Sequence, residues 1–118
     1  MRKLSLVLLC LIVFAGTARA HARLESASPA VGGTVPTPPE QVAVTFSEKV
    51  EPAFSTIEVT DATGQRADTG KPHRAPDNPR VLIVDLRPIG PGSYKVVWRA
   101  VSVDTHRTQG SYRFTVAR

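Results

Sequence analysis

Sulfur is nearly absent from this sequence. The single cysteine, Cys10, and the single methionine, Met1, both lie within the first ten residues. One cysteine cannot form a disulfide within the chain, and no thiolate or thioether remains after residue 10 to bind a soft metal ion. These absences exclude a disulfide-stapled domain and a dedicated Cu(I) site of sulfur ligands in the rest of the chain.

Long apolar runs are also scarce, with one exception at the amino terminus. This apolar run follows Arg2-Lys3 and ends shortly before Ala18-Arg19-Ala20. It is shorter than the roughly 20 residues of a membrane-spanning helix, and the small residues match the A-x-A site of signal peptidase. We therefore expect residues 1–20 to be a cleaved signal peptide. The mature domain, residues 21–118, would begin at His21, contain no membrane span and be exported.

Positive charge is modest once that segment is set aside. The whole chain has a formal net charge of +5, and residues 1–20 contain three basic and no acidic residues, which leaves +2. Lys and Arg are scattered along the remaining sequence, so no basic cluster indicates a nucleic-acid surface. A Gly-x-Ser-x-Gly motif and phosphate-binding glycine loops are absent as well. We expect a monomer that has no nucleic-acid partner and is not an enzyme.

Helical periodicity is missing, whereas apolar and polar residues alternate with a period of two. Val42, Val44 and Phe46 alternate with more polar neighbours, and ten prolines help to separate such segments. The pattern predicts an all-β domain, an antiparallel sandwich or barrel, with Trp98 in its core. The predicted strands are residues 22–28, 41–47, 54–61, 80–86, 93–103 and 111–117, and residues 65–79 are predicted to form a long surface loop.

The few histidines are the clearest candidates for chemistry. His21 would be the first mature residue, so its imidazole and free α-amine form one chelating unit that can be deprotonated near neutral pH. Asp104 and His106 are two residues apart and would point to the same side of an extended backbone. Together the three residues supply three nitrogens and one oxygen. That set suits Cu(II), and Ni(II) or Zn²⁺ less well, although spacing alone does not bring His21 to Asp104.

The mature sequence resembles the CopC family of periplasmic copper-binding proteins along its whole length. The motifs that carry the resemblance are His21, Leu24, Ser28-Pro29 and Gly32; Phe46-Ser47-Glu48; Gly92 to Ser102 with Asp104-Thr105-His106; and Gly110 to Phe114. Several motifs in the same order are far more specific than any one of them. The resemblance implies a Greek-key β-sandwich or barrel, cupredoxin-like or immunoglobulin-like. The amino terminus would lie beside the loop that follows the strand of Trp98.

The same resemblance implies a Cu(II) site formed by the His21 amine and imidazole, Asp104 and His106. Glu48 would lie close to it as an outer-sphere residue or weak ligand, or would be a solvated charge at a strand end. Some family members carry a methionine-rich segment with a histidine that forms a separate Cu(I) site. The corresponding residues 61–79 contain no methionine here, so we expect no second copper site and a surface position for His73.

These expectations describe a Cu(II) carrier or buffer for copper homeostasis or resistance that delivers copper to a CopD-like inner-membrane permease. One alternative is a redox enzyme, because an N-terminal histidine with another histidine also forms the histidine brace of copper monooxygenases. Against it, Asp104 would take a coordination position that oxygen needs, and no flat aromatic platform for a substrate is evident. A metal-free exported scaffold is the other alternative, and it leaves a histidine at mature position one unexplained.

Overall fold

The structure is a computed structural model that describes residues 22–118 of the chain. Within this range the chain forms eight β-strands and one short 3₁₀ helix, Pro52–Phe54. No helix of the described part is long and apolar enough to cross a membrane. The strands are β1 (Leu24–Ser28), β2 (Thr34–Val35), β3 (Gln41–Phe46), β4 (Thr56–Thr60), β5 (His73–Ala75), β6 (Asn78–Asp85), β7 (Gly92–Val101) and β8 (Arg107–Val116).

The strands form two four-stranded sheets that enclose one core. One sheet has the order β1-β3-β6-β5 and the other has the order β2-β8-β7-β4. Neighbouring strands are antiparallel, except that the two-residue β2 runs parallel to the end of β8. The chain crosses between the sheets after β1, β2, β3, β4 and β6, as in Greek-key sandwiches. The predicted all-β sandwich is confirmed.

The core follows the alternation in the sequence. Val42, Val44 and Phe46 of β3 are fully buried, and the side chains between them are more exposed. Trp98 points inward from β7 in the opposite sheet and is 6% exposed. Its ring meets the ring of Phe46 edge to face, with 5.2 Å between the centroids. The prediction that Trp98 is a core residue is confirmed, and the ring pair joins the two sheets.

Gly110 on β8 makes room for the indole of Trp98. The two residues are directly opposite each other in the β7–β8 pair. A Cβ atom at position 110 would lie 2.6 Å from the Trp98 ring, which is far inside van der Waals contact. A larger residue here must therefore displace the indole from its place in a close-packed core.

Residues 65–79 do not form the unbroken surface loop that the sequence predicted. They include the edge strand β5, and the side chain of Asp68 is buried. The Asp68 carboxylate accepts hydrogen bonds from the Val59 N–H at 2.8 Å and from the Arg66 guanidinium at 2.8 and 2.7 Å. It therefore satisfies a backbone donor on the outer edge of β4. Burial by itself raises the pKa of Asp68, but the bonds from Arg66 and Val59 outweigh burial and hold the pKa below its ordinary value.

Two strand boundaries differ from prediction near Asp104 and His106. Phe54, predicted to begin a strand, ends the 3₁₀ helix instead and is 73% exposed, because Pro52 favours a turn start over strand pairing. Strand β8 begins at residue 107 rather than 111, so the β7–β8 hairpin is longer than predicted. The connecting loop is therefore only residues 102–106, and it carries both candidate ligands.

Candidate metal site

The loop of residues 102–106 is a tight turn held by its own backbone. The Ser102 N–H donates to the His106 carbonyl at 2.9 Å, and the Thr105 N–H donates to the Ser102 carbonyl at 2.8 Å. Thr105 has a φ of 73°, which lies in the left-handed region that non-glycine residues rarely adopt. Below the turn, β7 and β8 are paired from Val101 opposite Arg107 onward. The loop therefore stands on a rigid two-stranded support.

The turn brings the side chains of Asp104 and His106 together. Asp104 Oδ2 lies 3.2 Å from His106 Nδ1. The Asp104 side chain is 40% exposed and the His106 side chain is 49% exposed, so a solvated ion can reach both. The i, i+2 spacing noted in the sequence thus places one carboxylate oxygen and one imidazole nitrogen on the same side of the loop.

Ser102 positions this pair, and the sequence analysis assigned it no role. Its buried hydroxyl donates a hydrogen bond to Asp104 Oδ1 and accepts one from the His106 N–H at 3.3 Å. The bond from Ser102, assisted by His106, holds the pKa of Asp104 below its ordinary value despite partial desolvation. Asp104 is therefore a carboxylate at neutral pH. The sequence pattern that could have indicated this role is Ser-x-Asp-x-His, in which Ser102, Asp104 and His106 are each two residues apart.

The loop that contains Glu48 lies directly beside this turn. The Val103 N–H donates to the Lys49 carbonyl at 3.1 Å, and Val50 bridges to Ser102 in antiparallel fashion. Glu48 is partly exposed and is the neighbour of Lys49 in the chain. Glu48 therefore lies on a loop that is adjacent to the turn of Asp104 and His106, and its role at the site stays a prediction.

The amino-terminal end of the described chain is fixed at the same place. The Thr108 hydroxyl donates to the Ala22 carbonyl at 2.7 Å, and Ala22 is fully buried. The next residue, Arg23, donates its N–H to the Ser47 hydroxyl and accepts the Ser47 N–H, each at 2.8 Å. Three segments that are distant in sequence therefore meet beside the turn. His21, the remaining predicted ligand, lies outside the described residues.

Asp104 and His106 form an incomplete set of ligands. No group of three or more His, Cys, Asp or Glu side chains placed to hold a metal ion occurs among residues 22–118. The pair supplies one oxygen and one borderline nitrogen donor, a chemistry that fits Cu(II) or Zn²⁺ but leaves a four-coordinate site two donors short. An amine and an imidazole from one further residue would supply the missing donors.

His73, the other histidine after residue 21, lies elsewhere. It is on β5 in the other sheet, its side chain is 52% exposed, and its Nε2 is 3.6 Å from Asp85 Oδ1. The prediction of a surface position for His73 is confirmed.

Comparison with known proteins gives consistent matches. The model of the CopC domain family matches residues 24–117. Protein YobA of Escherichia coli K12 is 38% identical over 98 residues, which are 82% of this chain and 79% of YobA. Copper transport protein CutJ of Bacillus subtilis is 33% identical over 114 residues, which are 96% of this chain but 21% of CutJ.

Solved structures agree with the fold described above. The crystal structure of CopC from Methylosinus trichosporium OB3b has a TM-score of 0.77 and 37% identity, covering 82% of this chain and 94% of that one. PcoC, a methionine-rich copper resistance protein from Escherichia coli, has a TM-score of 0.71 and 33% identity, covering 82% and 99%. Since the family model spans nearly all of the described residues, and the two-sheet architecture is the same, the chain belongs to the CopC family.

Proposed function

We propose that the mature chain, residues 21–118, binds one Cu(II) ion through the His21 amine and imidazole, the Asp104 carboxylate and the His106 imidazole. The observation that carries this proposal is the bond from the Thr108 hydroxyl to the Ala22 carbonyl. Thr108 is two residues after His106 in the chain, so this bond holds Ala22 close to the turn. Consecutive Cα atoms are only about 3.8 Å apart. We therefore propose that the residue before Ala22 reaches the turn.

The donor chemistry favours Cu(II) over Cu(I). Three nitrogens and one carboxylate form a tetragonal N,O set, whereas Cu(I) prefers thiolate and thioether ligands. PcoC, a structural relative, is described as methionine-rich, but residues 22–118 of this chain contain no methionine and no cysteine. We therefore propose a single copper site, specific for the oxidised ion.

Copper is the cargo of this protein rather than a resident cofactor. We propose that residues 1–20 direct export and are removed, so that the free amine of His21 exists only after cleavage in the periplasm. The monomeric domain would then buffer Cu(II) in copper homeostasis or resistance and pass it to a CopD-like permease of the inner membrane. Support for a transport partner comes from CutJ, in which the similar segment is only 21% of a longer copper transport protein.

A binding role is favoured over oxygen chemistry. Catalysis by a histidine brace requires a coordination position for oxygen, and the Asp104 carboxylate is held beside His106 where it would occupy one. The low pKa of Asp104 keeps that oxygen negatively charged at neutral pH. We therefore propose that the site holds Cu(II) without turnover.

The free amine is the sharpest test of the proposed site. The full chain is expressed with its own amino-terminal segment and purified from the periplasm, and intact mass establishes that it begins at His21. A second preparation retains one methionine before His21, which converts the amine into an amide and crowds the site. We expect this Met-His21 chain to lose Cu(II) affinity by orders of magnitude, measured by competition with a chromophoric chelator.

Controls separate loss of the amine from loss of the fold. Both preparations should give the same β-rich circular dichroism spectrum, because Ala22 and the strands are unchanged. A His73→Ala variant with the authentic terminus removes an exposed histidine from the other sheet and should bind Cu(II) as the parent does. Equal affinity of the authentic and extended chains would show that the amine is not a ligand.

A further inference from the structure

The outward side chains of β7 and β8 form a strongly basic surface. Tyr94, Val96 and Trp98 point into the core, so the residues between them point outward. Four basic residues point outward on these two strands, with Lys95 opposite Arg113 and Val101 opposite Arg107. We call this surface the cationic face, and its basic residues are Lys95, Arg99, Arg107 and Arg113.

The cationic face accounts for the whole positive excess of the described chain. Residues 22–118 contain twelve of the fifteen Lys and Arg residues and all ten Asp and Glu residues. On the outward side of β4, β7 and β8 there is one acidic residue, Glu58, whose Oε2 lies 4.0 Å from Arg99 Nη1. The remaining basic and acidic residues, eight and nine respectively, nearly cancel over the rest of the surface. The net positive charge of the described chain therefore lies on this one face.

The cationic face contains two neighbouring depressions that follow one another along the strands. A depression of about 370 Å³ is lined by Phe54, Arg99, Val101 and Arg107, among others. A second depression of about 280 Å³ continues from Arg99 to Lys95. Both are lined by Arg99 and Gln109, so the two depressions are neighbours. We call the two together the groove, and its Arg107 end adjoins the turn that carries His106.

Two exposed apolar side chains, Phe54 and Val103, are found at that same end. The large hydrophobic residues exposed in the described chain are Val31, Phe54 and Val103. Val103 is next to Asp104 in the turn, and Phe54 lines the groove at 73% exposure. An exposed aromatic anchor beside arginines is the composition of an interaction hot spot rather than of an ordinary solvated surface.

We propose that this groove binds an acidic, partly apolar segment of the protein that exchanges copper with this chain, an inference that rests on the proposed function. Carboxylates of the segment would pair with Arg99 and Arg107, and an apolar side chain would cover Phe54. Strand β7 lies between β4 and β8, so its backbone is already paired and recognition is by side chains. The concave groove fits an extended polypeptide better than the flat surface of a lipid bilayer.

The first experiment maps binding on the parent protein. The nitrogen-15-labelled mature chain is titrated with a short synthetic peptide of glutamate and leucine and, separately, with the peptide in which lysine replaces glutamate. We expect the acidic peptide to shift the amide signals of Lys95, Arg99 and Phe54, with affinity falling at least about tenfold at high salt. The basic peptide should not bind. An absence of shifts on the cationic face at millimolar acidic peptide overturns the proposal.

Charge-matched variants test the residues. Lys95→Glu with Arg99→Glu should weaken binding of the acidic peptide at least about tenfold. Arg80→Glu with Arg118→Glu, which makes the same charge change away from the groove, should leave it unchanged. Equal weakening in the two double variants would show that only net charge matters and would overturn a specific groove.

A second pair of variants tests the apolar anchor. Phe54→Ser should weaken binding of the acidic peptide several-fold without loss of stability, because the side chain is exposed. Val31→Ser is the control. Val31 is also exposed, but it lies toward the other end of β8, because the N–H of its neighbour Gly32 donates to the Arg113 carbonyl. Equal binding by the parent and Phe54→Ser would remove Phe54 from the proposal.

Two further measurements separate the alternatives. Flotation with phosphatidylglycerol vesicles tests an anionic membrane, and binding to vesicles without binding to the peptide would overturn the proposal in favour of lipid. Cu(II) affinity is measured on the same variants and should equal that of the parent, since none alters His21, Asp104 or His106. A parent chain that does not bind Cu(II) would contradict the proposed function. A parent chain that binds Cu(II) but not the acidic peptide would contradict only the docking surface.

Discussion

Ser102, Asp104 and His106 occupy alternate positions on one short turn, and each contributes something different. Ser102 is buried and binds the carboxylate, Asp104 provides an anionic oxygen, and His106 provides a ring nitrogen 3.2 Å away. A hydrogen bond that orients a ligand before the metal arrives reduces the ordering required on binding. The turn is therefore partly organised for an ion by contacts within the protein itself.

Removing either proposed ligand should change the copper spectrum in a distinct way. His106→Ala should remove one nitrogen donor, so the nitrogen hyperfine pattern in electron paramagnetic resonance loses one coupling. Asp104→Ala should open an oxygen position to water and leave the nitrogen couplings intact. The side chains of both residues are between 40% and 49% exposed, so the free energy of unfolding should change little. If neither variant alters the spectrum, the copper site lies elsewhere.

Substitution of Ser102 tests whether a residue that only positions the Asp104 carboxylate, and is not itself a ligand, affects Cu(II) binding. Ser102→Ala keeps all proposed donors but removes the bond to Asp104, and we expect Cu(II) affinity to fall about 10- to 100-fold, as for other residues that orient metal ligands. The number of nitrogen couplings should stay the same. Ser102→Thr, which retains the hydroxyl, should restore most of the affinity. An unchanged affinity for Ser102→Ala would mean that the carboxylate needs no support.

At the scale of elements, the β7–β8 hairpin carries the turn, and its inward side chains pack against the core. The ladder runs without interruption from Gly92 opposite Val116 to Val101 opposite Arg107. Midway along it, the Trp98 ring covers Gly110 and reaches Phe46 in the other sheet. The indole of Trp98 is thus one of several inward side chains by which the hairpin packs against the core.

Substitution of Gly110 should disturb the packing of the Trp98 ring. Gly110→Ala would place a methyl group 2.6 Å from the indole, and we expect the free energy of unfolding to fall by about 1–3 kcal/mol, as for other overpacked cores. Trp98 is the single tryptophan of the chain, so its fluorescence should shift as well. Gly90→Ala, whose Cβ would meet nothing within 4 Å, is the control and should be neutral in urea denaturation.

At the scale of the whole molecule, charges are distributed unevenly between the interior and the faces. Asp68 is the one acidic residue among the buried side chains of residues 22–118, and it binds segment 66–68 to the edge of β4. The basic residues of β7 and β8 instead collect on the outward side of the same sheet. One sheet therefore has a charge-stabilised edge and a cationic outer surface.

Asp68 should make the free energy of unfolding decrease as the pH falls into the acid range. Its folded pKa is lowered below the ordinary value of about 3.9, so its contribution to stability is present above that value and is lost as pH falls through the folded pKa. Asp68→Asn should cost about 1–3 kcal/mol at neutral pH, and this difference should shrink in acid. Urea denaturation at several pH values measures it, with the exposed Asp77→Asn as a control of equal charge change. A difference independent of pH would contradict this role.

Local sequence determined which residues form most strands and which sides face inward. A period of two assigns faces without reference to any other strand, so β3, β4, β7 and β8 could be predicted. The ligand candidates were also visible in the sequence, because amine, imidazole and carboxylate chemistry and an i, i+2 spacing are local properties. His21 remains a proposed ligand, since it lies outside the described residues.

Tertiary structure decided the features that depend on residues far apart in the chain. The bond between Thr108 and Ala22 joins positions 86 residues apart and brings the amino-terminal end to the turn. Asp68 is buried where its carboxylate accepts a hydrogen bond from the Val59 N–H on the edge strand β4, and no local sequence pattern predicts that contact. Lys95, Arg99, Arg107 and Arg113 are scattered in the sequence, and only the antiparallel register of β7 and β8 gathers them on one face. Pairing over long separations is chosen by the burial and hydrogen bonding of the whole sandwich, which a window of sequence does not contain.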